Sequence, residues 1–408
     1  MKLPEMLQPE SRHKGKTGIA ERQVCPNCEQ GELLTFFEQP AVPSNSCILF
    51  KSSEEARNYP RGDVKLGFCP VCGFIGNIAF DPRLTEYSGR YEETQSYSAT
   101  FNDFHKQLVK GLVDRYSLQQ KDILEIGCGK GEFLALLCDL GGNRGVGFDP
   151  GFDESREQVR TSSHIKYIKD FYSEQYSGYG GDFVCCKMTL EHIARPKQFL
   201  QMIRSTVDWK PNAVVFFQVP EANRIFRSCA LEDIYYEHCS YFSPGSLRYL
   251  FESSGFEVIH LGTEYDDQYL TIEARPVKVG EEVVGVPSDL EEMKGYIDDF
   301  GQRAHERSAD WLASLGKKKP QRIVLWGSGS KAVALLSLLD KEVSLDYVVD
   351  INPHRQGSYM AGTGQQIVSP EFLQAYRPDL VMAMNPIYRQ EIIRDLGMLG
   401  LAPKVVTA

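Results

Sequence analysis

The chain of 408 residues is 42 % hydrophobic and 25 % charged, a balance that suits a soluble globular protein of two or three domains. A net charge of −10 argues against a general nucleic-acid binder. No apolar run approaches the ~18 residues needed to cross a bilayer, so a membrane partner is not expected.

Residues 1–22 are expected to form a polar, mobile tail. Glu5, Glu10, Arg12, His13, Lys14 and Lys16 leave no apolar core for a signal peptide, and a cytoplasmic location follows as the expectation. Eleven cysteines is an odd count, and their clustering suits metal binding in a reducing compartment better than a disulfide framework. Within residues 23–80, Cys25-Pro-Asn-Cys28 and Cys69-Pro-Val-Cys72 make two C-x-x-C knuckles. Each can grip one tetrahedral ion with two thiolates, and together they complete the four-sulfur shell of a structural Zn2+ site. Four protein ligands leave no open position, so such an ion supports folding and not catalysis. Two unrelated thiol pairs, or a redox pair, are the competing readings. Cys47, between the knuckles, reads as buried or incidental.

Residues 81–275 read as a central α/β domain. A tyrosine-rich, loop-like stretch comes first, either covering a ligand or joining two domains, with Tyr91 as its candidate for ligand contact. Phe101, Phe104, Leu108, Leu112 and Tyr116 then recur at helical spacing. Residues 122–150 are the most informative: a buried strand, a glycine turn, a helix, and a second strand ending at Asp149. Gly127, Gly129 and Gly131 let the backbone turn sharply and approach a ligand closely. The helix that follows points free N–H groups at that ligand. Asp149, 18 residues after Gly131, is placed to accept both hydroxyls of a ribose.

A nicotinamide dinucleotide usually wants G-x-G-x-x-G, with room for a pyrophosphate. Here the string is Glu125-x-Gly127-Cys128-Gly129-x-Gly131, with an acid just before the glycines. It resembles motif I of S-adenosylmethionine (SAM)-dependent methyltransferases, whose ligand carries a sulfonium and an amino-acid tail in place of phosphates. A dinucleotide and a turn with no ligand are the alternatives. The same resemblance implies that Asp170 serves the adenine amine, that Phe171 walls the ring, and that Met188 lies at the cofactor edge where strand 182–188 runs into a helix. Ala213–Pro220 reads as a buried strand, and residues 246–254 as a helix closed by Gly255. Between them, Asp233-Ile-Tyr235-Tyr236-Glu237-His238 gathers proton-transfer groups where ligands collect in open α/β sheets, though such clusters also occur as satisfied surface networks.

Residues 276–320 read as a helical connector. Ser288-Asp-Leu-Glu291 has the form of a capping box, Leu290, Met293, Ile297, Phe300, Ala304, Trp311 and Leu315 form an apolar stripe for interdomain packing, and Lys317–Pro320 ends the helix. Residues 321–408 read as a second α/β unit. Strand Arg322–Trp326 leads into Gly327-Ser-Gly329-Ser-Lys331-Ala332, with Asp350 after the next strand. That pattern fits the phosphates of a nucleotide, a nicotinamide cofactor, or a purely structural turn.

In order, two knuckles, a methyltransferase core, a Tyr-x-Glu-His loop and a C-terminal α/β domain resemble the three-domain, zinc-containing sugar C-methyltransferases. These methylate a ring carbon of nucleotide-linked deoxy-keto sugars. The likeness runs from about residue 22 to the end, and includes Asp350-Ile-Asn-Pro, Gly362–Leu373 and Pro378–Tyr388. It implies an α/β fold with a class I methyltransferase (Rossmann-like) domain between a four-cysteine zinc-binding domain and a Rossmann-like C-terminal domain that docks the nucleotide sugar. It also implies His238 as the base, Tyr235 and Glu237 as active-site residues, and His192 near the sugar. The chain departs from the family's antibiotic-sugar members at Ser328, at the plain Gly127-Cys128-Gly129 turn, and at Tyr236, where histidine is common. The reaction expected is enolisation by His238, with Tyr235 and His192 stabilising the oxyanion, then methyl transfer to carbon. An O- or N-methyltransferase, a nicotinamide oxidoreductase and an inactive zinc scaffold are the other readings.

Overall fold

The computed structural model describes residues 23–154, 164–208, 210, 212–277, 285–316, 322–339 and 345–408. The expected tail, 1–22, and the expected helix stop, Lys317–Pro320, lie outside the described residues.

The N-terminal part comprises β1 (Leu34–Pro43), α1 (Ser53–Arg57), β2 (Arg61–Phe68) and β3 (Ile75–Asn77). Then come α2 (Ala99–Tyr116), β4 (Asp122–Ile126), α3 (Glu132–Gly141), β5 (Arg144–Phe148), β6 (Ile165–Ile168), β7 (Phe183–Lys187), α4 (Pro196–Val207), β8 (Val214–Pro220) and α5 (Ala222–Ser228). The central region closes with β9 (Ser240–Tyr241), α6 (Pro244–Ser253), β10 (Phe256–Glu264) and β11 (Tyr269–Pro276). Helices α7 (Leu290–Asp298) and α8 (Phe300–Gly316) lead to β12 (Ile323–Trp326), α9 (Ser330–Leu339), β13 (Tyr347–Val349), β14 (Gln366–Val368), α10 (Leu373–Tyr376), β15 (Leu380–Ala383), α11 (Arg389–Met398) and β16 (Lys404–Thr407).

The central sheet has seven strands in the order β10-β11-β8-β7-β4-β5-β6. β6, β5, β4, β7 and β8 run parallel, while β11 enters antiparallel between β8 and β10. This is the class I methyltransferase arrangement, a Rossmann-like sheet. Strand order reverses at β4, which opens a crevice beyond the carboxyl ends of β4, β5 and β7. The buried strands read Ile-Leu-Glu-Ile and Phe-Val-Cys-Cys because helices cover both faces. The C-terminal sheet is fully parallel, in the order β14-β13-β12-β15-β16.

The N-terminal sheet, β1-β2-β3-β9, borrows its last strand from residues 240–241, with Ile75 opposite Tyr241. The loop that carries His238 is therefore tied to the cysteine-knuckle region. Tyr236, next to it, is fully buried and packs so close over Gly62 that a Cβ there would stand 2.1 Å from its ring.

One local expectation is corrected, and the stripe of α2 packs as expected with one addition. Residues 288–291 do not form a capping box: α7 starts at Leu290 without a side-chain cap, because Asp289 Oδ2 instead accepts from Gly245 N, 2.9 Å away at the start of α6. The buried face of α2 is Phe101, His105, Val109, Leu112 and Val113, whereas Phe104, Leu108 and Tyr116 are only partly covered. α2 packs on α3, which draws the neighbouring polar position, His105, inward. The connector stripe is buried as expected except for Leu290, which is partly covered, and the helix breaks at Asp299. Met293, Ile297, Phe300 and Trp311 join the N-terminal and C-terminal sheets into one apolar core.

Candidate active site

β4 ends at Gly127, whose φ is +72°; a Cβ there would lie 2.0 Å from Thr189 Oγ1, so only glycine fits. Gly127 N and Cys128 N donate to Phe148 O at 2.8 and 3.0 Å, which fixes the turn against β5. Asp149 Oδ2 accepts from Gly129 N at 3.0 Å and Oδ1 from Gly151 N at 2.7 Å. Burial and the neighbouring Glu93 push its carboxyl up to about 7. Glu125 is buried, Oε2 has no hydrogen-bond partner among the described residues, and burial pushes the carboxyl up to about 8.

A cavity of about 480 Å³ opens above this turn. Its wall includes Glu125, Gly127, Cys128, Gly129, Asp149, Asp170, Phe171, Met188 and Tyr91; Gly131 is not part of it, and its missing Cβ makes room for Tyr167 instead. Asp170 Oδ2 accepts from Tyr176 OH at 2.7 Å. Met188 sits at φ +48°, a rare conformation for a side-chain-bearing residue, held by its N–H donating to Gln218 O at 2.8 Å. Tyr91 OH donates to Glu237 Oε1 at 3.2 Å, and its carbonyl accepts from Lys130 Nζ at 2.8 Å, so the tyrosine-rich loop is pinned over the cavity.

His192, in a single 3-10 turn after β7, meets His238 edge-on with ring centroids 4.8 Å apart. His192 Nδ1 lies 3.0 Å from both the Glu237 carbonyl and Tyr87 OH. Tyr235 packs on the His238 ring at 4.1 Å, and all three side chains line the cavity. Glu237 differs from the sequence reading: it lies one layer behind, accepting from Ser46 N at 2.9 Å and from Ser46 Oγ, and it is absent from the cavity wall. The carboxylate facing His238 is Glu191, which the motif reading missed. Burial lowers both imidazoles, His192 to about 4 and His238 well below its ordinary value, so both are neutral near pH 7.

The far wall comes from the C-terminal sheet. Lys331, Gly329, Ser330 and Asn385 face the cavity, opposite Arg224 and Asp233. Lys331 and Arg224 both bind the Asp233 carboxylate, Arg224 Nη2 at 2.5 Å. In the second glycine turn, Asp350 Oδ2 accepts from Ser328 N at 2.9 Å and from Ser328 Oγ at 2.5 Å. That acid is already satisfied by its own turn.

Apart from the cavity, Cys25, Cys28, Cys69 and Cys72 are fully buried, with sulfurs 3.7 Å apart in the pairs Cys25–Cys72 and Cys28–Cys69. Gly31 N donates to Cys28 Sγ at 3.3 Å and Asn27 Nδ2 to Cys72 Sγ at 3.4 Å, the partners a bound thiolate needs. The donor set fits a tetrahedral ion such as Zn2+. Among the described residues no helix is long and apolar enough to cross a membrane.

The acid-preceded glycine turn and the sheet around it fit a SAM-dependent methyltransferase, and the comparisons with known proteins show that the chain is one. Residues 101–261 match the family model for a methyltransferase domain, and residues 286–400 the model for a C-methyltransferase C-terminal domain. The chain is 23 % identical over 322 residues to the C-methyltransferase NovU of Streptomyces niveus, covering 75 % of this chain and 76 % of that one. It is 28 % identical over 113 residues to a tRNA U34 carboxymethyltransferase of Campylobacter hominis, 25 % of this chain and 36 % of the relative. Among solved structures, the 1,6-didemethyltoxoflavin-N1-methyltransferase of Burkholderia thailandensis aligns at TM-score 0.34 and 14 % identity, over 44 % of this chain and 82 % of that one. The two domain matches and the NovU likeness support a C-methyltransferase family.

Proposed function

We propose that the chain methylates a ring carbon next to the ketone of a nucleotide-linked keto-deoxy sugar, with His238 as the base. The observation that carries this reading is the position of the Tyr235–His238–His192 cluster, on one cavity between the glycine turn of β4 and the cationic wall of Lys331 and Arg224. Bound SAM supplies an electrophilic methyl group. His238, neutral through burial, takes the proton from the carbon beside the ketone, and the C–H electron pair moves into the enolate. Tyr235, whose hydroxyl burial holds in its protonated form, donates to the enolate oxygen, a contribution of about 3 kcal/mol for a well-placed donor, while neutral His192, its Nδ1–H given to the Glu237 carbonyl, positions the loop beside it. The carbon takes the methyl, and the S–C bonding pair stays on sulfur. Glu237 holds the loop in place through Ser46, Tyr91 and, by its backbone carbonyl, His192.

Lys331 and Arg224, which now share Asp233, suit the diphosphate of the sugar carrier, and the two α/β units would clamp that carrier between them. The four-cysteine cluster is read as a structural Zn2+ site. All eleven cysteines are unpaired thiols, which fits a reducing, cytoplasmic setting. The test is solvent deuterium exchange at the carbon beside the ketone, followed by NMR with a nucleoside-diphosphate 4-keto-6-deoxy sugar. Exchange in the wild type and its loss in His238→Ala support the reading; an O- or N-methyltransferase shows no exchange in either.

A further inference from the structure

Among the described residues, the cationic side chains that line the cavity are Lys130, Lys187, Arg224, Lys331 and Arg355. Three of them pair with a carboxylate. Lys130 binds the Tyr91 carbonyl and Glu93. Arg224 and Lys331 bind Asp233. Arg355 binds the carbonyl oxygens of Ser328 and Glu92. Lys187 is different. Its Nζ donates to His105 Nε2 at 2.7 Å and stands 4.4 Å from the Phe133 ring centroid. Among the described residues no carboxylate lies within 4.0 Å of it, and the carboxyls of Glu125 and Glu132 act on it only from farther away.

His105 is buried, and burial with the Lys187 charge beside it pushes its imidazole down to about 2. The ring is therefore neutral, its Nε2 accepts, and Lys187 keeps its charge against a neutral partner. One of three ammonium donors is used. A lysine drawn from water toward a neutral acceptor and an aromatic face stands ready for an anion.

Its place in the sheet says which anion. Cys185 pairs with Glu125 across β7 and β4, so Lys187, two residues on, projects from the same face at the carboxyl end of β7. Asp149, the expected ribose acceptor, directly follows β5 on the other side of β4. A ligand with its ribose at β5 and its sulfur over the β4 turn extends its remaining end toward β7. In SAM that end is an α-amino acid. We infer that Lys187, oriented by His105, binds the carboxylate of the cofactor's methionine tail. This rests on the chain's being a SAM-dependent methyltransferase and not on the identity of its acceptor.

Calorimetry with the zinc-loaded full chain tests it with two probes. S-adenosylhomocysteine has the amino-acid tail, and 5′-methylthioadenosine has the same adenosine and sulfur without it. Lys187→Met is expected to weaken S-adenosylhomocysteine binding about 30-fold, the size of a charge-assisted hydrogen bond, and to leave methylthioadenosine within about threefold. Lys187→Arg, which keeps the charge, is expected to recover most of the loss. Unchanged homocysteine affinity in Lys187→Met overturns the inference. An equal loss for both probes, in a variant whose thermal melt is unaltered, overturns it too, because the lysine then shapes the pocket without reading the tail.

Discussion

His238 Nε2 lies 4.0 Å from Glu191 Oε1, and both side chains are almost fully buried. Neither Glu191 oxygen, nor His238 Nδ1, has a hydrogen-bond partner among the described residues. A base held in a dry site is weak because its protonated form has lost solvation; an adjacent carboxylate restores it. Glu191 is therefore placed to offset the charge His238 gains when it takes a proton, once its own carboxyl ionises as pH rises through about 8.

The same carboxyl sets a pH dependence. Burial pushes Glu191 up to about 8, above its unfolded value, so folding takes up a proton. Its contribution is complete below the unfolded value and is lost as pH rises through about 8. Glu191→Gln, which cannot ionise, is expected to reduce the fall in unfolding free energy between pH 6 and 9 by about 2 kcal/mol, measured by denaturant titration. Parallel curves for variant and wild type contradict this. Above pH 8, where Glu191 is ionised, the variant's methyl transfer is expected to slow about 100-fold.

Glu391 joins the C-terminal unit to the central one. Its carboxylate accepts from Ser98 Oγ at 2.8 Å, Ala99 N and Thr100 N at 3.2 Å each, and Thr100 Oγ1 at 2.5 Å, so a residue of α11 caps α2. Burial opposes its ionisation, but the bonds from Thr100 and Ser98 prevail and hold it below the ordinary carboxylate range. The stabilisation is thus present above the unfolded value and lost as pH falls through the folded one. Glu391→Ala is expected to cost about 2 kcal/mol and to speed amide exchange over residues 98–102, with the largest difference from wild type above pH 5.

Removing the Zn2+ proposed for the cysteine cluster is expected to act on chemistry it does not touch. β9, two residues after His238, pairs with β3, and β3 follows Cys72. Chelation or Cys72→Ser is expected to lower the thermal midpoint and to raise amide exchange across residues 235–241, with activity falling in step. One equivalent of zinc per chain by elemental analysis is the accompanying measurement. Loss of activity with residues 235–241 still protected contradicts a purely structural ion.

Much of this was legible in the chain because the signals were local. Glycine spacing gives the β4 turn and Asp149, and paired C-x-x-C knuckles give the thiol cluster. What escaped depends on contacts between distant segments. Glu237 and His238 are adjacent, yet the loop turns Glu237 toward Ser46 and leaves His238 to Glu191, 47 residues earlier. His105 stood beside an apolar stripe and carried no motif, since only the packing of α2 on α3 shows that it faces Lys187. Ser288 and Glu291 looked like a capping box because the spacing was right, but the helix starts one residue later, after Asp289, whose carboxylate accepts from Gly245 N of another helix.

The central claim is that methyl goes to carbon. With 13C-methyl SAM and a uniformly 13C-labelled keto-deoxy sugar nucleotide, the product's methyl resonance is expected as a doublet split by one-bond carbon–carbon coupling, and absent with His238→Ala. A singlet methyl at the shift of an ether or an N-methyl group contradicts the account.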